Sequence, residues 1–360
     1  MDAATLVPQA QASGNTLPPG VSVRFWQPGD TPAIQKIYND PLIRPGAAMR
    51  GYVPRTDAQW SWEFADSHPT NPPYMVGTCD DAIIATHACI PIPMLSDGRL
   101  VSTGKDEETL VHPDYRGRGV LDAMYRPQLE RAVADGFEML WGFTSTASRS
   151  LLRNGFACLG PFEAMICELS KVRSATSSME PLHDDDCLRI LPCTQADSRF
   201  DDLSCEFGRQ IGGLTLHLSQ SFVDWRVFRN PFRPYAVFSA DVDDRLVGLG
   251  IFKMENARNY AFLSDLVSID TAQHPADQII DRLLSAGVKY LSACGVRHLE
   301  ARPSGSHPYN RMLQRLLSRR GFQKVPSDRA VRFFVRPVLS QDARIMDQDF
   351  WRMCELMREY

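Results

Sequence analysis

The sequence predicts an α/β (α+β) chain made of two copies of one unit, each a mixed, largely antiparallel sheet flanked by helices. Three observations carry this expectation. The chain has 360 residues, enough for two domains at about 150 residues each. Strand-like runs alternate with apolar-periodic helices in both halves. Markers also recur at one spacing: Trp62 and Trp225, Tyr74 and Tyr235, and Gly155 and Gly321 stand 161 to 166 residues apart.

In the first half, Val21 to Phe25 alternates like a strand, and Thr31-Pro32 opens a helix with Ala33, Ile34, Ile37 and Tyr38 on its apolar face. Thr56 or Asp57 caps a second helix carrying Trp60, Trp62 and Phe64, with Trp62 expected in the core rather than on a ligand groove. Strands follow over Tyr74–Thr78 and Ala82–Ile92. Asp97-Gly98 is a hairpin signal, so Leu100 to Val111 forms the next strand. A helix then shows Leu121, Met124, Tyr125, Leu129, Ala132 and Val133 at three- and four-residue steps, and Gly136 stops it. Glu138–Phe143 reads as a parallel-type strand. A short helix over Ser148–Arg153 and a last strand pair through Leu169 complete the unit.

The expected divisions are a disordered lead-in over 1–20, a first unit over 21–170, a linker over 171–186, a second unit over 187–338 and a terminal helix over 339–360. The linker is rich in Ser and acidic residues, ending in Asp184-Asp185-Asp186. Phe350, Trp351, Cys354 and Met357 would share one face of the terminal helix.

Composition narrows the function. Hydrophobic residues make up 44% and charged residues 23%, ordinary for a soluble globular protein. A formal net charge of -4 argues against a nucleic-acid partner. No apolar run approaches the ~18 residues of a membrane span, so no membrane partner is expected. The first residues lack the basic-then-apolar order of a signal peptide. Nine scattered cysteines, never spaced as CxxC, fit reduced thiols in a cytoplasm. Eight histidines form no spaced cluster, so no metal is expected. His87 and His112 stand nearest the chemistry.

That chemistry centres on Val111-His112-Pro113-Asp114-Tyr115-Arg116-Gly117-Arg118-Gly119-Val120-Leu121. A strand enters this turn and a helix leaves it. Two glycines let successive N–H groups point into one concavity, and the positive end of the helix adds to it. Arg116 and Arg118 supply charge that pairs with phosphate oxygens. The natural guest is a pyrophosphate; the alternative is an ordinary strand-to-helix turn. In the second half, the matching strand Tyr260–Ile269 runs into Asp270-Thr271-Ala272-Gln273-His274-Pro275, with no glycine pair and no arginine.

Strand, Val-His-Pro-Asp-Tyr-Arg-Gly-Arg-Gly, helix, apolar strand, short helix and Gly-Phe resemble the GNAT superfamily of N-acetyltransferases. The resemblance is good over residues 21 to 170 and weaker over 188 to 337. Trp225-Arg226 and Asn230-Pro231 resemble tandem bacterial members whose second domain is degenerate. The resemblance implies acetyl-CoA as acyl donor, its pyrophosphate held by Arg116, Gly117, Arg118, Gly119 and Val120. Leu121 stands where the family has a small residue. Thr109, Leu110 and Val111 would offer backbone groups to the pantetheine arm and thioester, and Thr144 replaces the family's usual Asn. The family's glutamate position is Lys105 here, with Asp106, Glu107 and Glu108 beside it. Glu107 is the preferred general base because strand alternation gives it a face with Thr109 and Val111, and Glu108 is the second choice. The family's acid tyrosine is replaced by Leu151, leaving Ser148 as the candidate to approach the sulfur.

The expected activity is transfer of an acetyl group to a small amine acceptor, an amino sugar or amino-acid derivative, by direct attack on the thioester. A non-catalytic CoA-binding or regulatory module and a tandem aminoacyl transferase are the alternatives. The sequence leaves the oligomeric state open.

Overall fold

The computed structural model describes residues 17–48, 52–65, 73–172, 187–255, 259–325 and 331–358. Most of the expected lead-in and the linker from residue 173 onward lie outside the described residues.

The first half supplies strands β1 (Val21–Phe25), β2 (Tyr74–Cys79), β3 (Ala82–Ser96), β4 (Arg99–Val111), β5 (Met139–Thr144), β6 (Ala157–Pro161) and β7 (Met165–Glu168). Its helices are α1 (Thr31–Asn39), α2 (Asp57–Phe64), α3 (Val120–Ala134) and α4 (Ser148–Arg153). The second half supplies β8 (Leu188–Cys193), β9 (Leu214–Leu216), β10 (Tyr235–Val242), β11 (Arg245–Glu255), β12 (Tyr260–Ser268), β13 (His298–Ala301), β14 (Gln323–Lys324) and β15 (Arg332–Pro337). Its helices are α5 (Arg199–Ile211), α6 (Gln220–Val223), α7 (Ala276–Ala293) and α8 (Pro308–Arg319), with α9 (Glu355–Arg358) in the tail.

Local chemistry explains most boundaries. Thr56 and Gln59 form a reciprocal capping box at α2. At α1 the cap position belongs to Asp30 rather than Thr31, and the Asp30 carboxylate turns away to pair with Arg24. Asp80-Asp81, Asp97-Gly98 and Asp243-Asp244 all take positive φ, the twist that tight hairpins need. Pro91 and Pro93 lie in β3 beyond its pairing with β2, where a missing N–H breaks no ladder on that side. Along β2, Met75 packs with Val120 and Met124 of α3, whereas Tyr74 meets Trp60 and Phe64 of α2. The first sheet is therefore covered by α3 on one face and by α1 and α2 on the other.

The sheets are not confined to their own halves. One runs β1-β2-β3-β4-β5-β15-β6, with β9 added to β3, and the other runs β14-β7-β13-β12-β11-β10-β8. β15 lies between β5 and β6, pairing Val335 with Trp141 and Phe334 with Cys158. β7 lies between β13 and β14, pairing Cys167 with Leu299. The strand pair expected through Leu169 is thus split: its first member stays home and its second crosses to the other sheet. Four-residue strands match either sheet equally well, so distant pairing decides their place. Each unit supplies an internal strand of the other. Trp62 and Trp225, equivalent in the two halves, stack at 5.1 Å.

The expected terminal helix is not formed. The tail consists of 3-10 turns at Ala343–Met346 and Gln348–Phe350, an irregular stretch and the single-turn α9. Phe350, Trp351, Cys354 and Met357 are nevertheless buried. Packing rather than helix hydrogen bonding organises the tail: Trp351 meets Trp141 and Phe333 of the first sheet, and Arg352 pairs with Asp265 of the second. Among the described residues no helix is long and apolar enough to cross a membrane.

Candidate active site

β4 and β5 run parallel from Thr103 opposite Met139 to Asp106 opposite Gly142, and there the pairing ends. Beyond that point the strands open a cavity of about 210 Å³, walled by Asp106, Glu107, Glu108, Thr109 and Leu110 on one side. Gly142, Phe143, Thr144, Ala147 and Leu151 face them, and Tyr38 and Arg44 close the top. A Cβ on Gly142 would stand 2.9 Å from the Asp106 carbonyl, so the last paired position demands glycine.

The opening follows from a bulge. β3 and β4 slip in register between Thr86 and Ala88, and Glu108 adopts φ +50. A bulge inserts one residue, bends the strand and breaks side-chain alternation. Asp106 faces α3, accepting from Tyr125 Oη at 3.0 Å and Gln128 Nε2 at 2.8 Å. Thr109 also lies on that side, 2.9 Å from His87 Nδ1. Glu107 instead pairs with Lys105, and Glu108 receives the Tyr74 hydroxyl and pairs with Arg55. The two glutamates therefore share the α1–α2 face. The expected common face of Glu107, Thr109 and Val111 is corrected by the bulge, which no side-chain pattern announces.

The glutamates differ in setting. Glu107 keeps 27% of its side chain exposed, against 4% for Glu108. Arg55, beside Glu108, also lies 3.6 Å from Glu63 and donates to Gln35 at 3.1 Å. Lys105 is wholly buried, and burial lowers its ammonium pKa despite Glu107.

Beneath the bulge lie two titrating neighbours, His87 Nε2 and Asp106 Oδ1, 3.8 Å apart. Burial pushes His87 down to about 3 and Asp106 up to about 7. The folded protein thus holds both neutral between about pH 4 and 6.5, while an unfolded chain holds the same single proton as His⁺ with Asp⁻. Their linkage terms oppose: Asp106 favours folding at low pH and loses that as pH rises toward 7. His87 costs stability below about 6.5 and ceases to do so above it. Asp106→Asn leaves only the His87 term. Relative to the parent protein, its stability is expected to fall on acidification from about pH 6.5, by up to about 1.4 kcal/mol per pH unit. Denaturant titration at several pH values checks this; parallel profiles would contradict it.

At the strand end, His112 Nδ1 accepts from Asp114 N at 3.4 Å and so starts a 3-10 turn over Pro113–Tyr115. Arg116 Nε donates to Val111 O at 2.9 Å, and its Nη2 donates to Ile43 O at 3.1 Å. The arginine therefore braces the turn between β4 and the segment after α1. Arg118 is exposed, and Gly117 and Gly119 take φ +73 and +79. Gly119 is the N-cap of α3, which begins without a side-chain cap. Its first-turn N–H groups thus look outward for an acceptor, as an anion site requires. Val120 is buried, and Leu121 packs beside the cluster of Cys89, Tyr125 and Phe137, which accommodates its size.

Thr144 Oγ1 accepts from Thr146 N at 3.1 Å and Ala147 N at 2.9 Å, shaping the entry to α4. Ser148 opens that helix and is not among the residues lining the cavity. Sequence reasoning missed Arg44 and Arg55, named Asp106 only as a neighbour of the preferred Glu107, and placed Tyr38 only on an apolar face. A second cavity of about 190 Å³ adjoins the first through Tyr38 and Arg44 and reaches Trp62, Asn230, Phe232 and Arg233.

The second unit repeats the plan with its openings filled. β12 carries a register slip at the same point, and its pairing with β13 ends at Leu263 opposite Ala301. The tail occupies the opening: Arg352 donates to Leu266 O at 3.0 Å and pairs with Asp265, while Asn310 donates to Met353 O at 3.1 Å. What remains is about 20 Å³, room for one water. At the start of α7, Ala276 N donates to the Asp270 carboxylate at 2.7 Å. The chain's own anion stands where the first unit presents uncapped N–H groups.

Residues 48–156 match the family model described as an acetyltransferase (GNAT) domain. No curated protein matches the chain in sequence at a significant level. Among solved structures, a GCN5-related N-acetyltransferase from Anabaena variabilis superposes with TM-score 0.61 at 12% identity, over 88% of this chain and 73% of that one. A GCN5-related N-acetyltransferase from Kribbella flavida gives 0.57 at 16% identity, over 89% and 72%. A tandem GNAT protein from the clavulanic acid biosynthesis pathway gives 0.58 at 15% identity, over 89% and 100%. These structural likenesses establish the fold, and the family model covers the segment bearing the bulge, the turn and α3. Residues 48–156 thus carry the match to a GNAT acetyltransferase domain, and the chain as a whole shares the fold of these acetyltransferase structures, the tandem GNAT protein among them.

Proposed function

We propose that the chain moves an acetyl group from acetyl-CoA to a small primary amine, with acetyl-CoA held by the first unit alone. The observation that carries this reading is the contrast between the units: α3 starts uncapped beside a cavity of about 210 Å³, whereas the second unit fills both places with its own residues. The N–H groups of Gly117, Arg118, Gly119, Val120 and Leu121 fit the pyrophosphate, with Arg116 bracing the turn. The unpaired edges of Thr109, Leu110 and Val111 fit the pantetheine arm, and Thr144 borders it.

Acetyl-CoA supplies an activated acyl thioester, so the protein's task is alignment and proton removal. Glu107 serves as general base, because it is the glutamate that keeps exposed surface while lining the cavity. Glu108, locked by Tyr74 and Arg55, positions the acceptor face. Ser148 lies off the cavity wall, and the thiolate of CoA is a good enough leaving group to depart without an acid. Nine free cysteines suit a reducing cytoplasm.

Thiol release from acetyl-CoA in the presence of an amine library tests the reading. Turnover with at least one amine, above the hydrolysis blank, is the expected result. Lys105 and Leu151, at the family's two acid–base positions, favour the competing reading of a non-catalytic CoA-binding module. That module would gain melting temperature with acetyl-CoA yet release no thiol with any amine.

A further inference from the structure

The second cavity says what kind of amine fits. It lies between the α1–α2 region and the Asn230–Arg233 loop of the second unit, against the wall of the first cavity. Three of its charged lining side chains are arginines, Arg44, Arg55 and Arg233, against one carboxylate, Glu63. Arg55 is committed to Glu108 and Glu63. Arg44 has no carboxylate partner among the described residues. Its guanidinium instead stacks on the Tyr38 ring, 3.8 Å from the centroid, and borders both cavities. A stacked guanidinium presents its donors along the ring plane: Nη1 donates to Tyr38 O at 3.5 Å, which leaves the Nε–Nη2 edge for an incoming carboxylate.

We propose that the acceptor is a primary amine that also carries a carboxylate, its carboxylate received in this second cavity by Arg44 and Arg233 and its amine directed toward Glu107. Trp62 and Phe232 supply apolar wall for the body of such a molecule. An amino sugar with a neutral body would bring these guanidinium groups no anion, and a polycationic one would press ammonium groups against them. Of the two acceptor classes compatible with the chemistry, the cavity therefore selects the amino-acid type. This inference rests on the N-acyltransferase reading above, and the transfer is balanced within it. The new bond joins amine nitrogen to acyl carbon, the carbon–sulfur bond breaks, the amine proton passes to Glu107, and CoA leaves as the thiolate, which takes its proton from solvent.

The test offers the full-length protein matched probes: α- and ω-amino acids, their carboxamides, phosphoethanolamine and glucosamine, with saturating acetyl-CoA and thiol release as readout. Carboxylates are expected to exceed their own carboxamides in kcat/KM by about tenfold or more, as a charged hydrogen-bonded pair should. That ratio is expected to fall toward one in Arg44→Gln and in Arg233→Gln. Because it compares two probes on one preparation, partial misfolding of a variant does not alter it. Equal use of both members, preference for glucosamine or phosphoethanolamine, or a ratio that survives both substitutions overturns the proposal. If no amine is turned over, calorimetry of the same probes on the CoA-loaded protein decides. Arg44-dependent preference for carboxylates upholds this cavity while defeating the transferase reading. Absence of any preference defeats the cavity assignment.

Discussion

Replacing Glu107 by Gln is expected to lower kcat by about a hundredfold or more, the ordinary worth of a general base, while leaving acetyl-CoA affinity close to that of the parent. An amine nucleophile is protonated at neutral pH, and a carboxylate at the cavity wall gives that proton a place to go. Glu107 qualifies by position: it lines the opening between β4 and β5 and retains exposed side chain. Gln keeps the shape and loses the proton acceptor. The parent's rise in rate with pH should change form in the variant, because a different group then limits deprotonation.

Glu108→Gln should behave differently. It leaves Arg55 buried with a weakened partner set, so the main effect is a loss of stability of about 3 kcal/mol, seen as a lower melting temperature. Pre-steady-state thiol release and thermal melting separate the two. A Glu107→Gln protein with parental kcat, or a Glu108→Gln protein of parental stability and a hundredfold lower kcat, would exchange their roles.

Arg116→Glu is expected to weaken acetyl-CoA binding by about a hundredfold or more. Two effects add. The bonds from Nε to Val111 O and from Nη2 to Ile43 O disappear, so the turn loses its brace between β4 and the segment after α1. A carboxylate is also set beside the N–H groups to which we assign the pyrophosphate. Arg116→Lys should fall between, because it keeps the charge and loses the fork that reaches two carbonyls at once. Calorimetric titration of each variant measures the loss.

Much of this was legible from residues. The recurrence of Trp62 in Trp225 and Gly155 in Gly321 exposed the duplication, and the Gly117–Gly119 pair marked the uncapped start of α3. The Asp270 segment already lacked glycines and arginines, though not that its carboxylate would reach Ala276 N. What escaped was set by distant contacts. Met165–Glu168 carries no label for the sheet it joins, since its alternation suits both. Glu108 at φ +50 reverses the faces of a strand whose side chains otherwise alternate. Phe350, Trp351, Cys354 and Met357 are buried by contacts with distant strands, Trp351 against Trp141 and Phe333, and not as one face of a helix. Arg44 and Arg233 come from opposite halves and meet only when the chain is folded.

Titrating the intact chain with acetyl-CoA by calorimetry tests most directly whether the first unit alone carries the ligand site. One site per chain is expected, lost in Arg116→Glu and retained in Asp270→Asn. Two sites per chain, or a single site that survives Arg116→Glu, would contradict the assignment.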